Sequence, residues 1–79
     1  MEITIDARGL SCPTPQQMTI KAIRTTKPDT TIIVLTDEAG ARDSVIRTAR
    51  ALRLPYRSER SVDEYKTYIF KEELWTEKR

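Results

Sequence analysis

Cys12 is the only cysteine of the 79-residue chain, and it stands in Asp6-Ala7-Arg8-Gly9-Leu10-Ser11-Cys12-Pro13-Thr14-Pro15. That stretch also holds one of the two glycines and two of the four prolines. There is no histidine, which excludes a Cys-His dyad, a Ser-His-Asp triad and any His-based metal site. One cysteine is also too few for a thiolate zinc site. No metal and no cofactor are expected, and the chemistry open to the chain is that of a lone thiol.

The neighbours of Cys12 define its setting. Gly9 accepts a positive φ and lets the chain turn sharply. Pro13 and Pro15 fix φ near the helical value and lack the N–H that the first turn of a helix leaves unsatisfied. Pro15 disfavours the α conformation at Thr14, so the first regular turn begins either at Pro13 with strain or at Pro15 with Thr14 as N-cap. In both cases Cys12 sits at or just before a helix N-terminus, where the helix dipole favours a thiolate. Arg8 adds positive potential if its side chain folds over the loop. The shift is expected to be modest, which suits a group that must both accept and release sulfur, because thiol nucleophilicity falls with pKa. A lone cysteine in an apolar strand is usually a small buried hydrophobe; between Ser11 and Pro13 in a loop, exposure is expected instead.

The elements that position this loop follow from periodicity. Residues 2–6, EITID, alternate polar and apolar side chains as a half-buried strand does. After a loop to Pro13, Met18, Ala22 and Ile23 recur at helical spacing, and this helix runs to about Thr26 before Lys27-Pro28-Asp29. TTIIVL, residues 30–35, is apolar on both alternating faces and reads as a central strand. Ile33 and Leu35 alternate with Ile32 and Val34, so one pair must point away from any helix layer. Asp37 and Glu38 precede a second helix with Val45, Ala49 and Leu52 on one stripe, ended by Pro55. YRSER and YKTYIFK then form two short strands around a turn at Ser61 to Glu64. Residues 72–79, EELWTEKR, are a polar tail with the only tryptophan.

The order β-α-β-α-β-β calls for a parallel β-α-β unit, hence an α/β two-layer sandwich (α+β) with both helices on one face of a mixed four-stranded sheet. A chain with 38% hydrophobic and 33% charged residues fits a single domain over 1–79, with its core in about 2–71. Net charge is only +2, a weak pointer to nucleic acid. No apolar run approaches the roughly 20 residues of a membrane span, so no membrane association is expected. A lone cysteine without disulfide staples fits a reducing, cytoplasmic setting.

The stretch from Asp6 to Pro15 resembles the signature D-x-R-G-L-x-C-P-x-P of the TusA/SirA-like family of sulfur-carrier proteins, with every fixed position present. The resemblance covers nearly the whole chain. It implies a mixed four-stranded sheet with both helices on one side. It also implies that Cys12 carries sulfane sulfur as a persulfide, in a loop shaped by Gly9, Pro13 and Pro15, with Asp6 and Arg8 as supporting loop residues of no assigned role. The expected partners are a sulfur donor, such as a cysteine desulfurase or another sulfurtransferase, and a downstream acceptor protein in tRNA thiolation, cofactor assembly or sulfur oxidation. Lys21 and the Arg42-Asp43 pair fall where docking residues are expected. The sequence departs from the pattern at Gln16 and Gln17, usually apolar, at Ile20, where a basic residue is common, at Pro28-Asp29 in place of Pro-Gly, and at Asp37-Glu38-Ala39.

Two other readings compete. An RNA-binding module would use Arg42, Arg47, Arg50 and Arg53 on phosphates and Tyr56, Tyr65 and Tyr68 on bases, but no RNP-like or GXXG signature accompanies them, and direct nucleic-acid binding is not the leading expectation. A regulatory interaction domain would use Cys12 only as a redox handle. The apolar pair on the open side of the sheet also allows a homodimer.

Overall fold

The computed structural model describes residues 2–10 and 13–71; the tail at 72–79 lies outside them. The elements are β1 (Glu2–Asp6), α1 (Thr14–Thr25), β2 (Thr30–Thr36), α2 (Ala39–Ala51), β3 (Tyr56–Arg60) and β4 (Tyr65–Lys71). They build a four-stranded sheet in the order β1-β2-β4-β3. β1 pairs parallel with β2, while β4 pairs antiparallel with both β2 and β3. The expected mixed sheet and two helices are present, and the helices pack on each other and on one face of the sheet.

Register decides which alternating residues enter the core. Ile3 and Ile5 stand opposite Ile32 and Val34, and Ile69 opposite Ile32, so these side chains share the helix face. Ile32, Val34 and Ile69 are fully buried there with Ile23 of α1 and Val45 and Ala49 of α2. Burying each such branched side chain is worth about 1.5–3 kcal/mol, and this cluster holds the two layers together. The outward pair is Ile33 and Leu35, half-buried beside Tyr68 and the partly exposed Phe70.

Helix α1 buries Pro15, Thr19 and Ile23, one ridge at four-residue spacing; Met18 and Ala22 pack beside it, partly buried. The Thr19 hydroxyl donates to the Pro15 carbonyl at 2.8 Å, which satisfies it inside the core. Neither expected start of α1 is realised as stated. Pro13 (φ −97°, ψ 11°) is the N-cap, Thr14 is the first helical residue, and no side chain caps the helix. The ladder begins there because the Gln17 N–H reaches the Pro13 carbonyl at 3.0 Å, while Pro15 sits at the second position, where its missing N–H costs nothing.

The end of α2 also differs from expectation. Helix α2 stops at Ala51, four residues before Pro55. Arg53 takes φ +59°, its N–H reaches the Arg50 carbonyl at 3.0 Å, and the Leu54 N–H reaches the Ala49 carbonyl at 2.9 Å. This is a Schellman closure, with arginine where glycine is usual and buried Leu54 packing under the last turn. Tertiary burial of Leu54, not the proline, fixes the stop. Asp29 likewise has φ +64°, the conformation for which the Pro-Gly of the resembled pattern would be the unstrained choice.

Candidate functional site

The loop after β1 lies at the C-terminal end of the parallel pair, the edge at which open α/β sheets commonly place their ligands. Ala7 is fully buried, and its N–H continues the ladder to the Leu35 carbonyl at 2.9 Å. The chain then reverses: the Leu10 N–H points back to the Ala7 carbonyl at 3.4 Å, and Gly9 takes φ +78°. The Gly9 N–H donates to Asp37 Oδ2 at 3.0 Å, tying the loop to the segment that leads into α2. Nothing lies within 4 Å of a Cβ placed on Gly9, so its backbone angle alone accounts for glycine here.

Arg8 spans this end of the molecule. Its Nε and Nη2 donate to the two carboxylate oxygens of Asp6, both at 2.9 Å, a bidentate pair. Its Nη1 donates to Glu64 Oε1 at 3.1 Å in the β3–β4 turn, a turn closed by the Ser61 N–H on the Glu64 carbonyl at 2.8 Å. The Asp6 carboxylate also accepts the Arg8 backbone N–H at 3.1 Å. These bonds, the guanidinium first, lower the Asp6 pKa from 3.8 to about 2, and the Asp6 carboxylate raises that of Arg8 in return. The structure thus alters the role expected of Arg8: its charge is offset by two carboxylates, with the Asp37 carboxylate close by on Gly9, and Arg8 works as a strut between β1 and the β3–β4 turn.

Of the other predicted residues, Pro13 is exposed at the N-cap of α1 and Pro15 is buried at the second helical position. Arg42 belongs to the same end, stacked 4.5 Å from the centroid of the Tyr65 ring and paired with Asp43 at 3.0 Å. Lys21 does not; it is exposed on α1, about two turns from the helix start. Cys12 and Ser11 lie outside the described residues, as does the expected exposure of the thiol; Leu10 and Pro13 mark where the loop leaves β1 and enters α1.

Sequence reasoning missed Asp37 and Glu64 as partners of the loop. Asp37 carried a signal, since it follows β2 as Arg8 and Gly9 follow the parallel strand β1. Glu64, 56 positions from Arg8, carried none. Of the tyrosines proposed as base-stacking groups, Tyr65 lies under Arg42 and Tyr68 under Arg57, the latter at 5.0 Å.

Among the described residues there is no group of acidic and cysteine side chains able to hold a metal, and no helix is long and apolar enough to cross a membrane. No curated protein matches the chain. A solved structure, the SirA-like protein from Desulfitobacterium hafniense, superposes with a TM-score of 0.81 at 24% identity, covering 91% of this chain and 99% of that chain, and shows the same fold. The sequence model of the family described as Sulfurtransferase TusA, whose members relay sulfur to partner proteins, matches residues 3–71. That range runs from the second residue of β1 to the last of β4 and takes in the Cys12 loop with the elements that anchor it, and on this the chain belongs to the sulfurtransferase TusA family.

Proposed function

We propose that the chain is a sulfur carrier that accepts sulfane sulfur on Cys12 as a persulfide and passes it to a partner protein. The observation that carries this reading is the anchoring of the loop on both sides of the thiol. Asp37 holds the Gly9 amide at 3.0 Å, Arg8 is locked to Asp6 and Glu64, and Pro13 and Pro15 start α1. Flanking residues fastened before docking lose little conformational entropy when a partner arrives.

In the loading step the Cys12 thiolate attacks the outer sulfur of the donor's persulfide. A new S–S bond forms at Cys12, the donor's S–S bond breaks, and the electron pair leaves on the donor thiolate. The sulfur moves as sulfane sulfur, so no external oxidant or reductant takes part. Delivery repeats the exchange: the acceptor's nucleophile takes the outer sulfur and Cys12 leaves as thiolate. The uncapped start of α1, with Thr14 and Gln16 N–H groups and no acidic residue in its first turn, favours that leaving thiolate. The donor is a cysteine desulfurase or another sulfurtransferase, and a reducing cytoplasmic setting keeps the thiol available.

Intact mass after incubation with a cysteine desulfurase and cysteine tests the reading. The expected result is a gain of one sulfur that reductant removes, absent in Cys12→Ser, whose circular dichroism matches the parent. A chain whose thiol labels readily yet gains no sulfur from several donors overturns it.

A further inference from the structure

The net charge of +2 conceals a separation of charge along the strands. Asp6, Asp37, Glu38 and Glu64 gather at the end of the sheet where β1 leads into α1. The stretch 44–58, which forms most of α2 and runs into β3, contains no acidic residue and carries Arg47, Arg50, Arg53 and Arg57. Because β4 is antiparallel to both β2 and β3, β2 and β3 are parallel, and α2, which joins them, finishes at the opposite end. Arg57 is already engaged, paired with Glu59 at 3.4 Å and lying over Tyr68. Arg47, Arg50 and Arg53 are exposed and have no ion-pair partner among the described residues.

Two of these three arginines exceed what the fold asks for. One cation in the last turn answers the negative end of the helix dipole, and Arg50 supplies it. Arg47 stands before that turn, and Arg53 sits at φ +59°, a conformation that glycine takes without strain. Strain kept at an exposed residue points to a role for its side chain. A ring stands beside them. Tyr56, three residues past Arg53, is 40% exposed. It pairs with Ile69, which faces the helices, so Tyr56 stands on the helix side of the edge strand β3. Tyr65 and Tyr68 are each covered by an arginine, whereas Tyr56 has no cation over it among the described residues.

We propose that this surface binds a single strand of nucleic acid, with Arg47, Arg50 and Arg53 on phosphates and one base stacked on Tyr56. Residues three apart on a helix are surface neighbours, and long arginine side chains can each take a separate phosphate. The ring separates this occupant from an acidic protein: carboxylates would satisfy the arginines and leave Tyr56 unused, whereas the unpaired bases of a single strand stack on an exposed aromatic. The surface finishes at the end of the molecule opposite the β1–α1 loop, so a bound strand leaves that loop open to a partner protein.

Fluorescence anisotropy with labelled oligouridylate and oligothymidylate of about twelve nucleotides tests the proposal on the full 79-residue chain. Both are expected to bind at low salt, since phosphates and base faces are common to the two, and the tighter identifies the kind of strand. Three phosphate contacts give log K against log salt a slope of about −2, at roughly −0.7 per contact on a single strand. Arg47→Ala and Arg50→Ala are each expected to weaken binding several-fold and to reduce that slope by about 0.7. Arg53→Gly is expected to do the same while stabilising the fold, so its loss of binding cannot be laid to unfolding. Tyr56→Ala is expected to weaken binding about tenfold with the slope unchanged, and Tyr56→Phe to keep the parent affinity. Arg60→Ala, at the other end of β3, removes a positive charge outside the surface and should alter neither quantity. No binding of either strand at low salt overturns the proposal, as does binding that the arginine variants leave intact. Binding that survives Tyr56→Ala unchanged also overturns it, and a glutamate homopeptide of equal charge that then binds as tightly assigns the surface to an acidic protein. None of these outcomes depends on the sulfur chemistry of Cys12.

Discussion

The two ends of helix α1 are held in opposite ways. At its start, Pro13 caps without a side chain, and the neighbouring loop is fastened by exposed groups: Arg8 with Asp6 and Glu64, and Gly9 with Asp37. At its end, the ammonium of Lys71, in a residue only 6% exposed, docks on the carbonyls of Ile23 and Thr26. Exposed ion pairs contribute about 0–1 kcal/mol each, whereas a buried charge-assisted hydrogen bond contributes about 1.5–3 kcal/mol, and its loss leaves carbonyls unpaired. The difference shows a division of labour. The distal end secures the helix on the sheet through a buried charge, and the end that carries the loop is held by solvated contacts.

Removing the buried contact is the strongest attack on this contrast. Lys71→Met is expected to lower unfolding free energy by about 1–3 kcal/mol, read by urea denaturation; a loss within error would show that the ammonium's desolvation cancels its bonds. At the other end, Gly9→Ala forces a Cβ into φ +78° with no clash to add, and a cost of about 1 kcal/mol is expected from the backbone alone. A smaller cost would mean the loop relaxes to another turn, and the loss of Gly9 N–H protection in hydrogen exchange would confirm that it had.

Arg53→Gly sharpens the comparison at the distal end in the opposite direction. It relieves a positive φ in the Schellman closure of α2, and a gain of about 0.5–1 kcal/mol is expected. A loss instead would assign Arg53 a side-chain contact that outweighs its strain.

Acid probes the exposed tether, with the smallest effect. The folded-state pKa of Asp6 is lowered from 3.8 to about 2 by Arg8. Its contribution is therefore present above the unfolded value and is lost as pH falls from about 3.8 through about 2. The Asp6 carboxyl resonance should titrate near the lower value and return toward 3.8 in Arg8→Ala, with little change in global stability because the pair is solvated. A carboxyl that titrates near 3.8 in the parent would mean that the strut does not persist in solution.

Much of the fold was legible because its signals are local. Alternation in residues 2–6, the apolar run at 30–35 and the helical spacing of Val45 and Ala49 each report burial, and the elements fall within a residue or two of those limits. The misplaced boundaries were set from outside the local pattern. α2 ends where burial of Leu54 forces Arg53 into a left-handed turn, ahead of the Pro55 that sequence reasoning credits. α1 begins at Thr14 although the following proline disfavours it there, because the Pro13 carbonyl is placed to accept the Gln17 N–H. At the candidate site, Asp6, Arg8, Gly9 and the prolines were legible as a cluster, since they are neighbours in the chain. Their partners Asp37 and Glu64, and the clamp from Lys71, were not.

The sequence by itself determined the lone thiol and the absence of histidine, and with them the kind of chemistry open to Cys12. It also determined the order of elements, because hydrophobic periodicity is a property of the chain before it folds. Only the tertiary structure decided what Arg8 does with its charge, which face of β2 meets the helices, and where a lysine can be buried. Those outcomes depend on groups brought together across 56 positions for Arg8 and Glu64 and 48 for Lys71 and Ile23. Electrostatic partnership and desolvation act through space, so no local pattern records them.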